Sequence, residues 1–176
     1  MLWRRGSTTR CCHKTGGDIV AVKIIRIEKE IWPACVLIGK RGTNWGEWWG
    51  NDWFAPLEKQ PALPENGDAY IGAVRIVNGQ PERWIGMYFP EGTPVPEGYE
   101  AVNIPTMSYA VCYLRAGEGS ADFYTPATHA LCLEALKEQG LLRREDDWCF
   151  ERCNCPRFTT PDEEGMVVLD YGIAVV

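Results

Sequence analysis

The chain has 176 residues, 45% of them hydrophobic, and this length suits one compact domain or two small halves packed together. Its 18 Lys and Arg against 24 Asp and Glu give a net charge of -6, which provides no general attraction to a phosphate backbone. No apolar run approaches the roughly 20 residues of a membrane helix, and no signal-peptide pattern follows the charged start. We therefore expect a soluble cytoplasmic protein that binds neither a membrane nor, directly, nucleic acid.

The chain is rich in cysteine and tryptophan. The eight cysteines are not spaced as in a secreted scaffold, so we expect reduced thiols. Three of them, Cys149, Cys153 and Cys155, are close in sequence, but alternate strand positions lie roughly 6 to 7 Å apart, too far for one tetrahedral zinc. No nucleotide-binding or triad motif occurs, and we expect no metal and no cofactor. Eight Trp, seven Tyr and five Phe exceed what core packing usually needs and suggest an aromatic site.

The first half of the chain begins with a basic segment, residues 1–18, which has little apolar periodicity and which we expect to be a flexible arm. Clustered β-branched residues then predict a long, bent strand within residues 19–39. Apolar residues at spacings of three and four predict a helix over 44–60 that Asn44 caps. Two β-type runs around Asn78-Gly79 predict a hairpin.

The second half repeats this order after a segment rich in proline and glycine, residues 90–98. Extended runs are followed by a helix that Thr125 caps and Gly140 ends, and then by two more extended runs. A shift of 77 residues (104 − 27) aligns Ile27 with Ile104 and Cys35 with Cys112. We predict an α+β domain over residues 19–176, made of two strand-helix-strand-strand units with antiparallel sheets around a central ligand cleft. The units cover about 19–90 and 98–176.

Glu151 is the main candidate for chemistry, because strand alternation places this carboxylate in the middle of a predicted strand with Cys149 and Cys153 on the same face. It either faces solvent on an open side of the sheet or lies buried in an aromatic cleft, where it would pair with a cation or transfer protons with a raised pKa. Aromatic residues on predicted elements are candidates for the walls of that cleft, although core packing is the alternative for each. They are Trp48, Tyr70, Trp84, Tyr88, Tyr109 and Tyr171.

Two stretches of sequence resemble a known family. Trp84-Ile85-Gly86-Met87 followed by residues 94–98, and Phe150-Glu151-Arg152 followed by Pro156-Arg157-Phe158 and Asp170-Tyr171, resemble the GyrI-like small-molecule-binding family. That family is related to the effector-binding domains of AraC-type and MerR-type multidrug regulators. The resemblance covers roughly residues 19–176 and implies a duplicated fold with a cleft for lipophilic, often cationic, aromatic compounds.

The resemblance implies a glutamate at the base of the cleft, which Glu151 matches, while Cys153 stands where the family usually has Tyr. It implies a stand-alone binder of a planar, hydrophobic, cationic small molecule. Some stand-alone members are hydrolases that open the cyclopropane ring of DNA-alkylating natural products, which would make Glu151 a general acid or base and Tyr70 a second catalytic residue. A third alternative is a protein partner such as DNA gyrase. Binding and hydrolysis would use nearly the same residues, so the sequence leaves them open.

Overall fold

Eight strands and two helices make up the part of the chain that the computed structural model describes, residues 22–61, 63 and 69–176. In chain order they are β1 (Lys23–Trp32), β2 (Cys35–Arg41), α1 (Trp45–Gly50), β3 (Tyr70–Val77), β4 (Gln80–Pro90), β5 (Glu100–Ile104), β6 (Met107–Gly117), a short 3₁₀ helix (Ala121–Tyr124), α2 (Pro126–Glu138), β7 (Cys149–Cys153) and β8 (Met166–Val175). The expected arm over residues 1–18 and the first residues of the expected strand lie outside the described residues. Neither described helix is long and apolar enough to cross a bilayer.

All eight strands belong to one antiparallel sheet with the order β1-β6-β8-β7-β3-β4-β2-β5. The fold class is therefore α+β, with more of the described residues in strands than in helices. We expected more than one antiparallel sheet, but the described strands form a single sheet. The expected bent strand is also wrong, because β1 and β2 lie near opposite ends of the sheet. β1 ends at Trp32 because the next residue, Pro33, has no backbone N–H to donate to a neighbouring strand. The chain then passes to the other half of the sheet, where β2 begins.

The predicted local elements are mostly present. Asn78 and Gly79 both have positive φ angles, 52° and 74°, as a two-residue hairpin turn between β3 and β4 requires. Thr125 caps α2 and accepts a hydrogen bond from the Thr128 amide. The first helix is shorter than expected: Asn44 caps it, but it ends at Gly50 and continues as turns. Gly46 and Gly50 weaken helix propagation, which accounts for the short length.

The helices cover one face of the sheet. Trp48 of α1 packs on β2 and β4 together with Phe54 and Leu57 from the turns that follow. On the same face, Cys132 and Leu136 of α2 pack against β6, β7 and β8. The opposite face carries a separate apolar cluster centred on aromatic residues. The two helices thus stand over different halves of the sheet, and the middle strands β3 and β7 run between them.

The strand order is symmetric. If β1 to β4 are exchanged with β5 to β8, respectively, the result is the same strand order read from the opposite edge of the sheet. The register follows the same exchange, because Ile27 pairs with Cys112 and Cys35 pairs with Ile104, which are the residues related by the shift of 77. At the centre, β3 and β7 pair with each other, so the middle of the sheet is made by equivalent strands from the two halves.

Candidate functional site

A cavity of about 310 Å³ opens on the helix-bearing face, between the beginning of α1 and the end of the 3₁₀ helix. Its floor is formed by the central strands β3, β4, β7 and β8. Its lining combines aromatic rings with one carboxyl and one guanidinium group. The lining residues are Thr43, Asn44, Trp45, Gly72, Ala73, Val74, Arg83, Trp84, Ile85, Tyr124, Cys149, Phe150, Glu151 and Tyr171.

Register places three of these residues in one row across the floor. Gly72 of β3 pairs with Glu151 of β7, which pairs with Tyr171 of β8. Side chains of directly opposite residues share a face, so the carboxyl lies between an empty glycine position and a phenol. A Cβ atom at position 72 would lie 3.0 Å from Glu151 Oε2 and 3.0 Å from the Trp45 ring. Only a glycine at this position therefore allows the carboxyl and the Trp45 ring to approach β3 this closely.

The surroundings of Glu151 change its proton affinity. Burial raises the pKa of this carboxyl to about 7, while a hydrogen bond from the Trp45 indole and the positive charge of Arg83 act in the opposite direction. The carboxyl forms no salt bridge to a described residue, although it lies within electrostatic reach of Arg83. Near neutral pH it is therefore divided between a neutral form that can donate a proton and an anion that can bind a cation.

Tyr171 is held by a residue of α2. Its hydroxyl oxygen lies 2.8 Å from Nδ1 of His129, within hydrogen-bond distance. Burial raises the pKa of Tyr171 and lowers the pKa of His129, so both side chains are neutral at physiological pH. This contact attaches α2 to the row of residues that carries Glu151.

Three of the residues named from the sequence, Glu151, Trp84 and Tyr171, line the cavity. Trp84 lies at the edge of the cavity. It is 4% exposed, belongs to the cluster on the opposite face of the sheet, and its indole nitrogen donates a hydrogen bond to Glu82. Of the three, Glu151 and Tyr171 face the interior of the cavity from adjacent strands.

Trp48 and Tyr70 do not line the cavity. Trp48 is fully buried under α1, where its ring packs on Phe54 and its indole nitrogen donates to the Thr43 hydroxyl. The Tyr70 ring packs on Phe54, and its hydroxyl donates to Glu58. Both residues lie on the helix-bearing face, but α1 and the turns after it cover them.

Tyr88 and Tyr109 lie on the other face of the sheet. Both are buried and pack around Trp32 with ring centroids 5.3 Å and 4.8 Å from it. Strand alternation explains the outcome, because β4 directs Tyr88 away from the side on which Ile85 and Met87 meet α1. Neither of these two tyrosines lines this cavity.

The other lining residues were not among the candidates, and four of them contribute to the chemistry of the site: Trp45, Gly72, Arg83 and Tyr124. Trp45 belongs to the tryptophan cluster of the first helix, but helical spacing alone does not separate it from Trp48. The sequence signal that distinguishes it from the other tryptophans of that cluster is its position directly after the Asn44 cap. Arg83 and Gly72 become recognisable only through the pairing of β3 with β4 and β7.

Comparison with known proteins gives structural but no sequence relatives. No protein-family model matches the chain, and no curated protein matches it significantly. A bacterial protein from Staphylococcus aureus MU50 assigned to transcription regulation superimposes with a TM-score of 0.62 at 11% identity, covering 85% of this chain and 97% of its own. SAV2435 bound to tetraphenylphosphonium gives a TM-score of 0.64 at 12% identity, over 86% of this chain and 94% of the other.

The C-terminal domain of EcmrR gives a TM-score of 0.54 at 10% identity, over 86% of this chain and 97% of that domain. At such identities the likeness concerns the fold, which these structures share with the present chain.

Proposed function

We propose that this chain binds a planar, hydrophobic, cationic small molecule in the cavity, with Glu151 as its charge partner. The observation that carries the proposal is a carboxyl group that is held on the floor of an aromatic-lined cavity with no salt bridge to a described residue. A buried anion without a cation is costly, and a bound cation offsets that cost. A bound cation would therefore supply the direct ion-pair partner that no described residue gives to Glu151.

The aromatic lining suits the same class of ligand. Trp45, Tyr124 and Tyr171 surround the carboxyl, and aromatic faces attract cations as well as flat apolar rings. The absence of a side chain at Gly72 lets the Trp45 ring and the Glu151 carboxyl both lie close to β3. SAV2435, which shares the fold, was solved with tetraphenylphosphonium, a lipophilic aromatic cation, and this supports a hydrophobic, cationic ligand; because that cation is tetrahedral, the planar shape is argued from the aromatic lining alone.

We also propose that the domain spans residues 19–176 and arose by duplication, as the resemblance to the GyrI-like family implies. In the described residues each half has two strands, a helix and two strands, one strand more before the helix than the expected strand-helix-strand-strand unit. The symmetric strand order supports this proposal, as does the symmetric register of Ile27 with Cys112 and Cys35 with Ile104. A duplication of this kind places the cavity where the two units meet, at β3 and β7.

Hydrolysis is the second candidate function. A carboxyl with a pKa of about 7 is suited to accept and return a proton at neutral pH, as the opening of a cyclopropane ring by water would require. Tyr171 is the phenol adjacent to it, whereas the Tyr70 hydroxyl donates to Glu58 under the turns after α1. A protein-interaction role, for example with DNA gyrase, draws on no feature of the described residues.

The test of binding is a tryptophan-fluorescence titration with tetraphenylphosphonium on the wild type and on Glu151→Gln. We expect saturable quenching in the wild type and an affinity at least about tenfold weaker in the variant, because a desolvated charge pair is lost. Glu58→Gln is the matched control, since this exposed carboxylate lies outside the cavity and should leave the affinity unchanged. Equal affinity for wild type and Glu151→Gln would refute the proposal.

The test of hydrolysis uses the same three proteins and a DNA-alkylating natural product that contains a cyclopropane ring. Hydrolysis predicts a product heavier by one water, formed by wild type and Glu58→Gln and not by Glu151→Gln. Recovery of intact compound from every sample would leave binding as the function of the cavity.

A further inference from the structure

We propose that the cavity selects amphoteric ligands, with a cationic group that pairs with Glu151 and an anionic group that pairs with Arg83. This inference rests on the proposed binding function and narrows its ligand class from simple cations to flat aromatic molecules carrying both charges. Three features of the Arg83 side chain support it: its position, the absence of an ion pair to a described residue, and its electrostatic effect on Glu151.

Arg83 projects on the same side of the sheet as Glu151. It pairs with Val74 of β3, and Val74 pairs with Cys149 of β7, which is two positions before Glu151. Residues two apart on a strand share a face, so the arginine and the glutamate both face the cavity. One strand separates β4 from β7, and their backbones are therefore about 10 Å apart. This separation matches the distance between opposite ends of a small fused-ring compound.

The Arg83 guanidinium has no ion pair among the described residues, although its neighbours do. Arg75 on the adjacent strand bonds to Glu82 at 2.8 Å, and Arg41 bonds to Glu100. These acidic residues are thus already occupied by other arginines. Arg83 remains exposed at the cavity wall with its charge available to a ligand.

The two charges influence each other without touching. Arg83 counteracts part of the burial that raises the pKa of Glu151, yet no salt bridge joins them. A ligand with a single positive charge would gain from Glu151 and be repelled by Arg83. A ligand with both charges would match each group, and a guanidinium pairs especially well with a carboxylate because of its planar, forked donors.

The experiment compares two dyes that differ in one group. Rhodamine 110 has a cationic ring system and a free carboxylate, and rhodamine 123 is its methyl ester. Binding is followed by dye fluorescence anisotropy at pH 8, where Glu151 is mostly ionised. We expect the wild type to bind rhodamine 110 about fivefold or more tighter than rhodamine 123, the size of effect a partly exposed arginine–carboxylate pair gives.

Variants assign the preference to one residue. Arg83→Gln should abolish the preference for rhodamine 110, and Arg83→Lys should retain part of it. Arg41→Gln is the matched control, because it removes an exposed arginine from the neighbouring strand outside the cavity and should leave the preference intact. Circular dichroism of each variant checks that the fold is retained.

The results separate the two proposals. If rhodamine 123 binds and Glu151→Gln weakens it, but rhodamine 110 binds no tighter or keeps its advantage in Arg83→Gln, the amphoteric preference is wrong and the cation site stands. If neither dye binds, or Glu151→Gln affects neither, both proposals are wrong.

Discussion

At the residue scale, the position of Glu151 determines what the cavity can do. If the glutamate at this position of β7 were exposed, it would have an ordinary pKa, and its carboxylate would be mostly ionised above about pH 5. Burial beneath Trp45 and between Gly72 and Tyr171 shifts its ionisation to about pH 7. The charge of the cavity therefore changes within the physiological pH range.

This shift predicts a pH-dependent affinity for a permanent cation. Only the ionised carboxylate pairs with tetraphenylphosphonium, so below the pKa of about 7 the apparent affinity should fall about tenfold per pH unit, and above about pH 8 it should be constant. Titrations from pH 5 to pH 9 measure the profile. Glu151→Gln should show no such slope, and a flat profile in the wild type would mean that the carboxyl does not face the ligand.

At the element scale, the hairpin of β3 and β4 supplies the floor beside Glu151. The Asn78-Gly79 turn fixes the register of β3 against β4, and the separate pairing of β3 with β7 brings Gly72 opposite Glu151. The capping box of Asn44 and Glu47 fixes where α1 begins, so Trp45 becomes its first residue and reaches Glu151. A strand pair and a helix start thus position the site together.

Filling the Gly72 position should close the cavity. In Gly72→Val the new side chain would clash with Glu151 Oε2 and the Trp45 ring, each 3.0 Å from an ideal Cβ, and would displace both groups from their positions in the cavity. We expect loss of most tetraphenylphosphonium binding, about tenfold or more in affinity, with the β-rich circular dichroism spectrum retained. Gly117→Val at the end of β6 is the control, because nothing lies within 4 Å of its ideal Cβ. Full binding by Gly72→Val would place the ligand elsewhere.

At the scale of the whole molecule, a buried ionic network joins the edge of the sheet to its centre. Arg152 of β7 is 3% exposed and donates to Asp170 of β8 at 2.7 Å and to Glu30 of β1 at 3.0 Å. Arg157 also donates to Asp170, which is fully buried. Glu30 is 122 positions away in sequence from Arg152. The contact joins side chains of β7 and β1, which β8 and β6 separate in the sheet.

Removal of the central cation should destabilise the whole fold. Arg152→Met leaves Glu30 without this cation and Asp170 with Arg157 alone, and breaking a buried ion pair on one side costs about 3 kcal/mol of the free energy of unfolding. Urea unfolding measures the loss. Arg144→Met removes a surface pair with Asp147 and should cost less than about 1 kcal/mol. Similar losses of unfolding free energy in the two variants would show that the buried network stabilises the fold no more than a surface ion pair does.

The sequence by itself determined features that depend on neighbouring residues. The hairpin turn, the caps at Asn44 and Thr125 and the face shared by Cys149, Glu151 and Cys153 follow from local dihedral preferences and strand alternation. Glu151 could be singled out for the same reason. The sequence could not show which of the candidate aromatic residues line the cavity. Strand alternation shows that two residues lie on opposite faces of a sheet, but it does not show which of those faces a helix covers.

Only the tertiary structure decided how distant segments meet. Gly72 and Glu151 are opposite each other although 79 positions separate them (151 − 72), and β1 and β2 separate to opposite halves of the sheet. These choices place Trp45 and Arg83 in the cavity and leave Tyr88 and Tyr109 in the core on the other face. The physical reason is that strand order and register minimise the free energy of the whole sheet, through burial and hydrogen bonds between strands that no short segment contains.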